Sequence, residues 1–363
     1  MRLINAGLTI ATVSLITAAG CDSPPGIPEE MRAKIAAINA TYVFADVHSH
    51  LSRFHRENVA NVAAEEIEIY RSNHFDLVVA NISSDMAYFG KYTNRDGTYV
   101  EGGKYKPEPG EPFRLATDRL ERLHRTFELG IAVHASEPAD VLRARTRNEV
   151  SIMPALEGAD ALEGKIENLY AMHENGLRLV QLLHFRNNEL GHNQTHPYSP
   201  GGLTPFGHQV VQECNRLGLI IDLAHSNHET MMDVLELSED PVLFSHGGVK
   251  ALFEQDRAVS DDEIMAIAGN GGMIGIWPHG RYIADVKTMV DFIEHVIVVG
   301  GIDHVGIGSD LRGISSYSKG FDKSANFLAI AAELIDRGYS DEDVGKVMGA
   351  NFFRIWQTVA DSG

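Results

Sequence analysis

Residues 43–50 read Val-Phe-Ala-Asp-Val-His-Ser-His, an apolar run that leads directly into two histidines one residue apart. Near-continuous apolar runs of this length are typical of strands that are buried on both faces, as in parallel sheets. In a strand, residues i and i+2 point to the same side, so His48 and His50 can both face one metal ion. The segment therefore predicts a buried parallel strand with a metal site at its carboxyl end.

The same alternation of an apolar run and a helical stretch recurs through the rest of the chain. Further runs rich in Val, Ile and Leu lie at residues 76–80, 150–156, 177–183, 219–224, 241–244, 272–277 and 304–307. Helix signals lie between them. Thr204 and Pro205 begin a helix that stops at Gly218, and Ser260 begins another with a capping box. Eight such units predict an α/β fold, either a (β/α)8 TIM barrel with long βα loops or a doubly wound sheet.

Potential metal ligands follow six of the eight runs, and this pattern favours the barrel. The first run leads into His48 and His50, and other runs are followed by Glu157, His184, His225, His246 and Asp310. Active sites of such barrels are assembled from residues at the carboxyl ends of several strands. The sequence therefore predicts a metal-dependent hydrolase barrel over residues 41–363.

The residue types at these positions also predict the metals. Imidazole and carboxylate are the ligands expected for zinc, with manganese, iron or cobalt as alternatives. Four histidines and a glutamate are more ligands than one tetrahedral site takes. The surplus predicts two divalent ions, zinc by default, about 3.5–4 Å apart and bridged by the carboxylate of Glu157.

The overall composition excludes several other classes of protein. The formal net charge is -19, which leaves little basic surface for binding nucleic acid. The two cysteines, Cys21 and Cys214, are too few for a disulfide framework or a Cys-rich zinc module. Cys214 lies in a helical pattern, where we expect it to be a buried small apolar residue.

The amino-terminal residues are typical of a secretory signal. Arg2 precedes an apolar stretch at residues 8–19 that is too short to span a bilayer. The ending Ala-Ala-Gly-Cys at residues 18–21 resembles the lipobox of bacterial lipoproteins, in which the cysteine is lipidated. We therefore expect a lipoprotein signal peptide at residues 1–20 and a tether and lead-in at residues 21–40. The predicted location is the bacterial cell envelope, lipid-anchored on its periplasmic or extracellular face, and a plain signal peptide with an incidental Cys21 is the alternative.

Short motifs run through almost the whole chain after the tether. They are DVHSH at 46–50, ALEG at 155–158, LH at 183–184, GLTPFG at 202–207, DLAH at 222–225, FSH at 244–246, RAVSDD at 257–262 and GIGSD at 306–310. In this order they resemble the membrane (renal-type) dipeptidases, peptidase family M19, among the amidohydrolase-like barrels. The resemblance implies a binuclear zinc site with His48 and His50 at one metal, Glu157 as the bridge, and His225 and His246 at the other. It also implies that His184 and Arg257 bind substrate and that Asp310 handles the proton.

One position departs from the pattern of that family. The family usually has His-x-Asp on its first strand, where this sequence has His48-Ser49-His50. The second histidine keeps a ligand but removes one negative charge from the site. The identity of the first metal is therefore left open, and Asp310 becomes an additional candidate ligand.

The predicted function is that of a metallo-dipeptidase, which hydrolyses the amide bond of small dipeptides through a metal-bridging hydroxide. His184 would stabilise the oxyanion, Asp310 would transfer the proton to the leaving amine, and Arg257 would bind the terminal carboxylate. Another binuclear hydrolase on the same barrel, a lactonase, cyclic amidase or phosphoesterase, is the alternative. A third hypothesis is a lipoprotein that has this fold but no catalytic activity. Whether the chain forms a homodimer is left open.

Three further features of the sequence also carry expectations. Residues 88–110 are polar, rich in Gly and Tyr, and too long for a plain connection. We interpret them as an active-site lid or rim, with a partner-binding or disordered insert as the alternative. Trp277 and His279 are expected to line the pocket, and Asp222 to support a metal ligand or to have a structural role at a strand end.

Overall fold

The computed structural model describes residues 26–54, 58–85, 107–195, 200–322 and 325–363. Within these ranges strands and helices alternate along the chain. The strands are β1 (Ala45–Ser49), β2 (Leu77–Ser83), β3 (Val133–His134), β4 (Ser151–Glu157), β5 (Leu179–Gln181), β6 (Ile220–Asp222), β7 (Leu243–Val249), β8 (Ala258–Val259), β9 (Met273–Ile276) and β10 (Val305–Ile307). The helices are α1 (Glu29–Thr41), α2 (Ala64–Ser72), α3 (Glu111–Glu128), α4 (Pro138–Arg145), α5 (Ile166–Glu174), α6 (Pro205–Arg216), α7 (His228–Leu237), α8 (Asp261–Gly269), α9 (Val286–Gly300), α10 (Phe327–Asp336), α11 (Asp341–Gly345) and α12 (Asn351–Ser362).

The main strands form one parallel sheet that curls into a nearly closed barrel. Their order is β1-β2-β4-β5-β6-β7-β9-β10, and the short strands β3 and β8 pair beside it with β4 and β7. Two backbone hydrogen bonds join β1 to the residues after β10. Asp310 N donates to His48 O (2.9 Å), and His50 N donates to Leu311 O (2.9 Å). The prediction of a TIM barrel is confirmed, and the doubly wound sheet, which has two free edges, is excluded.

Both faces of the barrel strands are buried, which explains why the runs are continuously apolar. Along β2, Leu77 and Val79 belong to the apolar cluster inside the barrel, whereas Val78 and Ile82 pack in the layer between strands and helices. Helix α12 covers the amino-terminal end of the barrel, with Trp356 fully buried in the inner cluster. The opposite end, where the strands finish, is left for polar side chains.

The predicted helix starts agree with the structure. Thr204 Oγ1 accepts a hydrogen bond from Gly207 N (3.0 Å) at the start of α6. Ser260 and Glu263 form the predicted capping box of α8. Cys214 is buried on α6, and burial raises the pKa of its thiol to about 12.

Strand β2 is longer than the apolar run that predicted it. It pairs with β4 in continuous register from Leu77 opposite Ser151 to Ser83 opposite Glu157. Two of the three additional residues, Asn81 and Ser83, are polar, so the apolar run that predicted the strand ends before them. Their pairing brings Asp85 to the carboxyl end of the barrel.

Two segments discussed above lie outside the described residues. They are the predicted signal peptide with Cys21, and residues 88–106 of the predicted lid or rim. Residues 29–40 of the predicted lead-in belong to α1, whose Ile35 and Ile38 are buried. Among the helices that the structure describes, none is both long and apolar enough to cross a bilayer.

Candidate active site

The carboxyl ends of six strands bring the predicted metal ligands and His184 into one buried cluster. His48, His50, Glu157, His184, His225, His246 and Asp310 are each less than 9% exposed. Among the described residues, three groups place their ligand atoms within 4.8 Å of one another: His48 with His50 and Asp310, His48 with Glu157 and His246, and Glu157 with His184 and His225. The geometry therefore groups His246 with His48, and it does not divide the ligands into the two sets that the resemblance implies.

Glu157 lies at the centre of this cluster. Its Oε1 is 3.3 Å from His48 Nε2, 3.4 Å from His184 Nε2 and 3.8 Å from His225 Nε2. Its Oε2 is 3.3 Å from His50 Nε2, which in turn is 3.3 Å from Asp310 Oδ1. One carboxylate thus faces histidines from three other strands, the arrangement that a bridging ligand requires.

The backbone is irregular where these side chains leave the strands. The register of β1 shifts between Asp46 and Ser49, and that of β7 shifts between Phe244 and Gly247, so both shifts lie beside a predicted ligand. His225 and Asp310 have positive φ angles of 70° and 45°. Bulges and left-handed residues redirect side chains at some cost in free energy, and such features cluster at functional sites.

The charges in the cluster are strongly coupled. Burial raises the pKa of Glu157, but His184, His50 and His48 lower it by more, so the pKa lies well below its usual value. Burial together with Arg257 lowers the pKa of His225 and of His246 well below the usual value. These directions favour the anionic carboxylate and the neutral imidazoles that bind metals. The pKa of His48 is instead raised, because Glu157 outweighs the effect of burial.

The donor atoms fit a divalent metal. Among the described residues, His48 Nε2, Glu157 Oε2, His225 Nδ1 and Asp310 Oδ1 are buried without a hydrogen-bond partner. Buried polar atoms are rarely left unpaired in proteins, and each one calls for an explanation such as an ion. Imidazole and carboxylate are the donors that zinc, manganese, iron and cobalt accept.

Ser245 orients two of the histidines and was not predicted from the sequence. Its Oγ lies 3.2 Å from His48 Nδ1 and 2.9 Å from His246 Nδ1, on the far sides of both rings. Asp222 Oδ1 accepts hydrogen bonds from Ser245 N (2.9 Å) and Ala224 N (3.0 Å). Asp222 therefore supports the site through the backbone of Ser245. This role combines the two expectations for Asp222, support of a metal ligand and a structural role at a strand end.

Asp85 is a second residue that the sequence reasoning missed. Its Oδ1 lies 2.6 Å from His184 Nδ1, and both side chains are buried. The sequence did contain a signal for it: Asp85 follows the second barrel strand, just as the predicted ligands follow other barrel strands. It was overlooked because the predicted strand ended at residue 80, five residues earlier.

Arg257 and aromatic side chains line a cavity of about 290 Å³ over the cluster. Arg257 donates from Nη1 to Gln194 Oε1 and from Nη2 to His246 Nε2 (2.9 Å), and its guanidinium lies 5.4 Å from the centre of the Trp277 ring. Burial lowers its pKa to about 10, so the group stays cationic at neutral pH. The other lining residues include Phe185, Trp277, His279, Tyr282 and Ile314, so Trp277 and His279 line the cavity as expected.

Two solved structures have similar folds. A probable dipeptidase, PvdM, from Pseudomonas aeruginosa superimposes with a TM-score of 0.77 and 21% sequence identity, covering 93% of this chain and 100% of that one. A metallo peptidase from Rhodobacter sphaeroides, liganded with a phosphinate mimic of the dipeptide L-Ala-D-Ala, gives a TM-score of 0.74 at 21% identity and covers 88% and 99% of the two chains. At this identity the comparison establishes the fold alone.

Sequence comparison identifies the family. The chain is 32% identical to the dipeptidase aclJ of Aspergillus oryzae over 273 residues, which cover 71% of this chain and 64% of that protein. It is 32% identical to the dipeptidase tcpJ of Claviceps purpurea over 256 residues, covering 68% and 57%. The chain thus spans less than two thirds of the length of these two relatives. The family described as membrane dipeptidase (peptidase family M19) matches residues 32–363, and the chain belongs to that family.

Proposed function

We propose that this protein is a metal-dependent dipeptidase that hydrolyses the amide bond of small dipeptides. The observation that carries the proposal is the position of Glu157. Its two oxygens face histidines from three strands, beneath a cavity that is also lined by the buried, cationic Arg257. The family and the two relatives named dipeptidases support the same reaction. A cavity of about 290 Å³ suits a small substrate, because ligand pockets start at roughly 300 Å³.

We assign two divalent ions, zinc by default, to the ligand set. Following the resemblance to the family, His48, His50 and Glu157 would bind one ion, and Glu157, His225 and His246 would bind the other, with Asp310 as an additional ligand candidate at His50. In this structure the ligand atoms of His246 lie beside those of His48. When bound, two such ions lower the pKa of a shared water toward about 7 and polarise the scissile carbonyl. The lone pair of His246 Nε2 that would serve a metal accepts a hydrogen bond from Arg257 in this structure.

The side chains around the cluster supply the remaining chemistry. His184 Nε2 faces Glu157 and the cavity, where an N–H donor would stabilise the carbonyl oxygen as it gains negative charge. Asp310 would accept a proton from the attacking water at its carboxylate and pass it to the leaving amine nitrogen. Arg257 would bind the terminal carboxylate of the dipeptide. The contact would be bidentate once its two Nη groups release Gln194 and His246 and donate to the two carboxylate oxygens instead.

The test is hydrolysis of a panel of L,L- and L,D-dipeptides by the purified protein, with and without added zinc, manganese or cobalt. We expect cleavage of free dipeptides and much weaker cleavage when the terminal carboxylate is amidated, because Arg257 then loses its anionic partner. A lactone, a cyclic amide and a phosphoester form the comparison set. Faster turnover of any of these three would favour the alternative hydrolase on the same barrel.

A first prediction concerns metal stoichiometry. We expect two ions per chain at saturation, because six His, Glu and Asp ligands exceed one tetrahedral site. Elemental analysis after removal of free metal measures the number directly. One tightly bound ion at saturation would contradict the binuclear proposal, and His50 would then be the first residue to examine.

A second prediction concerns location. We propose a lipid anchor at Cys21 that attaches the protein to the cell envelope, on the basis of the lipobox-like residues 18–21. Cys21→Ser should release the protein from the membrane fraction or block processing, and Cys214→Ser, a substitution at a buried residue, is the control. Unchanged fractionation and unchanged mass of the Cys21 variant would contradict the anchor.

A further inference from the structure

We propose that Asp85 is a positioning residue whose carboxylate fixes the ring of His184 so that Nε2 faces Glu157 and the cavity. The inference rests on the proposed function, in which His184 acts on the substrate. Asp85 follows β2, a strand whose end supplies none of the predicted metal ligands.

The contact between the two side chains determines where the proton lies. Asp85 Oδ1 and His184 Nδ1 are 2.6 Å apart, the short distance of a charge-assisted hydrogen bond. Burial raises the pKa of Asp85, but His184 lowers it by more, so the carboxyl group is ionised. An ionised carboxylate only accepts, so His184 Nδ1 carries a proton and donates it. A carboxylate at Nδ1 also stabilises the imidazolium form of the ring, in which Nε2 carries a second proton and can donate towards the cavity. The ring is thereby oriented with Nε2 3.4 Å from Glu157 Oε1.

Asp85 is itself held in place by its surroundings. Ser83 Oγ donates to Asp85 Oδ1 (2.8 Å), and Phe185 N donates to Asp85 Oδ2 (3.3 Å). Ser84 Oγ donates to Gly158 O (2.7 Å) and fastens the same segment to the end of β4. Both carboxylate oxygens are therefore engaged before any substrate arrives, which is the arrangement of a rigid support rather than of a ligand-binding group.

Gly158 packs closely against the Cβ atom of His184. This residue has a φ of 75°, and a Cβ atom placed on it would lie 2.8 Å from His184 Cβ. A glycine is required at this position both by the backbone conformation and by the approach of His184. Gly158 limits where the Cβ atom of His184 can lie, and the hydrogen bond to Asp85 orients the ring, so the ring orientation follows from contacts within the protein.

The kinetic test uses the metal-loaded full chain and a dipeptide substrate. We expect Asp85→Asn to lower kcat by roughly 10–100-fold, as for other groups that orient a functional histidine. KM should stay within about threefold, because a donor to the developing oxyanion acts mainly in the transition state. Metal content should not change, because no predicted metal ligand contacts Asp85.

Asp76→Asn is the matched control, because Asp76 is a buried carboxylate just before β2, at the opposite end of the barrel. It pairs with Arg145 instead of a predicted site residue, so its variant should keep the kcat of the original protein. Unchanged kcat in Asp85→Asn, or a loss of kcat that only follows lost metal, would overturn the proposal. If Asp85→Asn does not fold, Ser83→Ala weakens the same support, and an unchanged kcat in that variant would equally overturn it.

A spectroscopic measurement on the zinc-loaded protein tests the contact without relying on activity. The Nδ1–H proton of His184 should give a downfield imidazole resonance in the proton NMR spectrum, assigned by its loss in His184→Gln. Asp85→Asn should remove or strongly shift this resonance, whereas Asp76→Asn should retain it. If no dipeptide is hydrolysed but the resonance behaves in this way, the proposed function fails and the positioning contact stands; a resonance that is indifferent to Asp85 would refute the contact itself.

Discussion

Glu157→Gln should remove at least one metal ion per chain and lower kcat/KM by roughly 10³-fold or more. The two oxygens of the Glu157 carboxylate face His48 and His50, and Gln replaces one oxygen with an NH2 group that cannot bind a cation. A catalytic metal supplies several kcal/mol of stabilisation, and each 1.4 kcal/mol or so corresponds to about tenfold in rate. Elemental analysis and kcat/KM measured on one preparation give both quantities.

Glu213→Gln is the control for this substitution. Glu213 lies on the surface of α6 and pairs with Arg216, so the same chemical change there should alter neither metal content nor rate. Retention of both ions in Glu157→Gln would show that Glu157 is not the bridge. In that case the proximity of Glu157 to the histidines would reflect ion pairing among the side chains alone.

Asp310→Asn should lower kcat by about 10²–10⁴-fold while most of the metal is retained. Asn has almost the same shape as Asp but cannot accept a proton, and it tolerates the left-handed backbone at this position, where φ is 45°. His48, His50, Glu157, His225 and His246 all remain to bind metal. The loss should therefore appear as a slower reaction and not as an unfolded or metal-free protein.

The other outcomes of this experiment have distinct meanings. Asp310 Oδ1 lies 3.3 Å from His50 Nε2, and both belong to one group of candidate ligands with His48. Loss of one ion in Asp310→Asn would make Asp310 chiefly a ligand, compensating for the charge that His50 removes from the site. Full activity in this variant would contradict its role in proton transfer, and Asp303→Asn at the surface pair with Lys346 is the control.

The sequence by itself determined the barrel and the residue types of its site. Strands buried on both faces need apolar residues at every position, so each barrel strand left a continuous run in the sequence. The carboxyl ends of parallel strands meet at one end of a barrel, so ligands that follow the runs, such as His48, Glu157 and His246, could be expected together without coordinates. The motifs that surround these positions were enough to indicate the family.

The tertiary structure alone decided which of these atoms face one another and which side chains orient them. His184 and Asp85 are 99 positions apart, and Ser245 and His48 are 197 apart. Such contacts depend on strand register and on local bulges, like those beside His48 and His246. A bulge rotates the side chains around it but does not change the apolar pattern of the sequence. Periodicity reports only which face of an element is buried, whereas a hydrogen bond depends on sub-ångström distances between elements that are remote in the chain. For this reason the candidate ligands were predictable, while their grouping and their supports, Asp85 and Ser245, emerged only from the folded barrel.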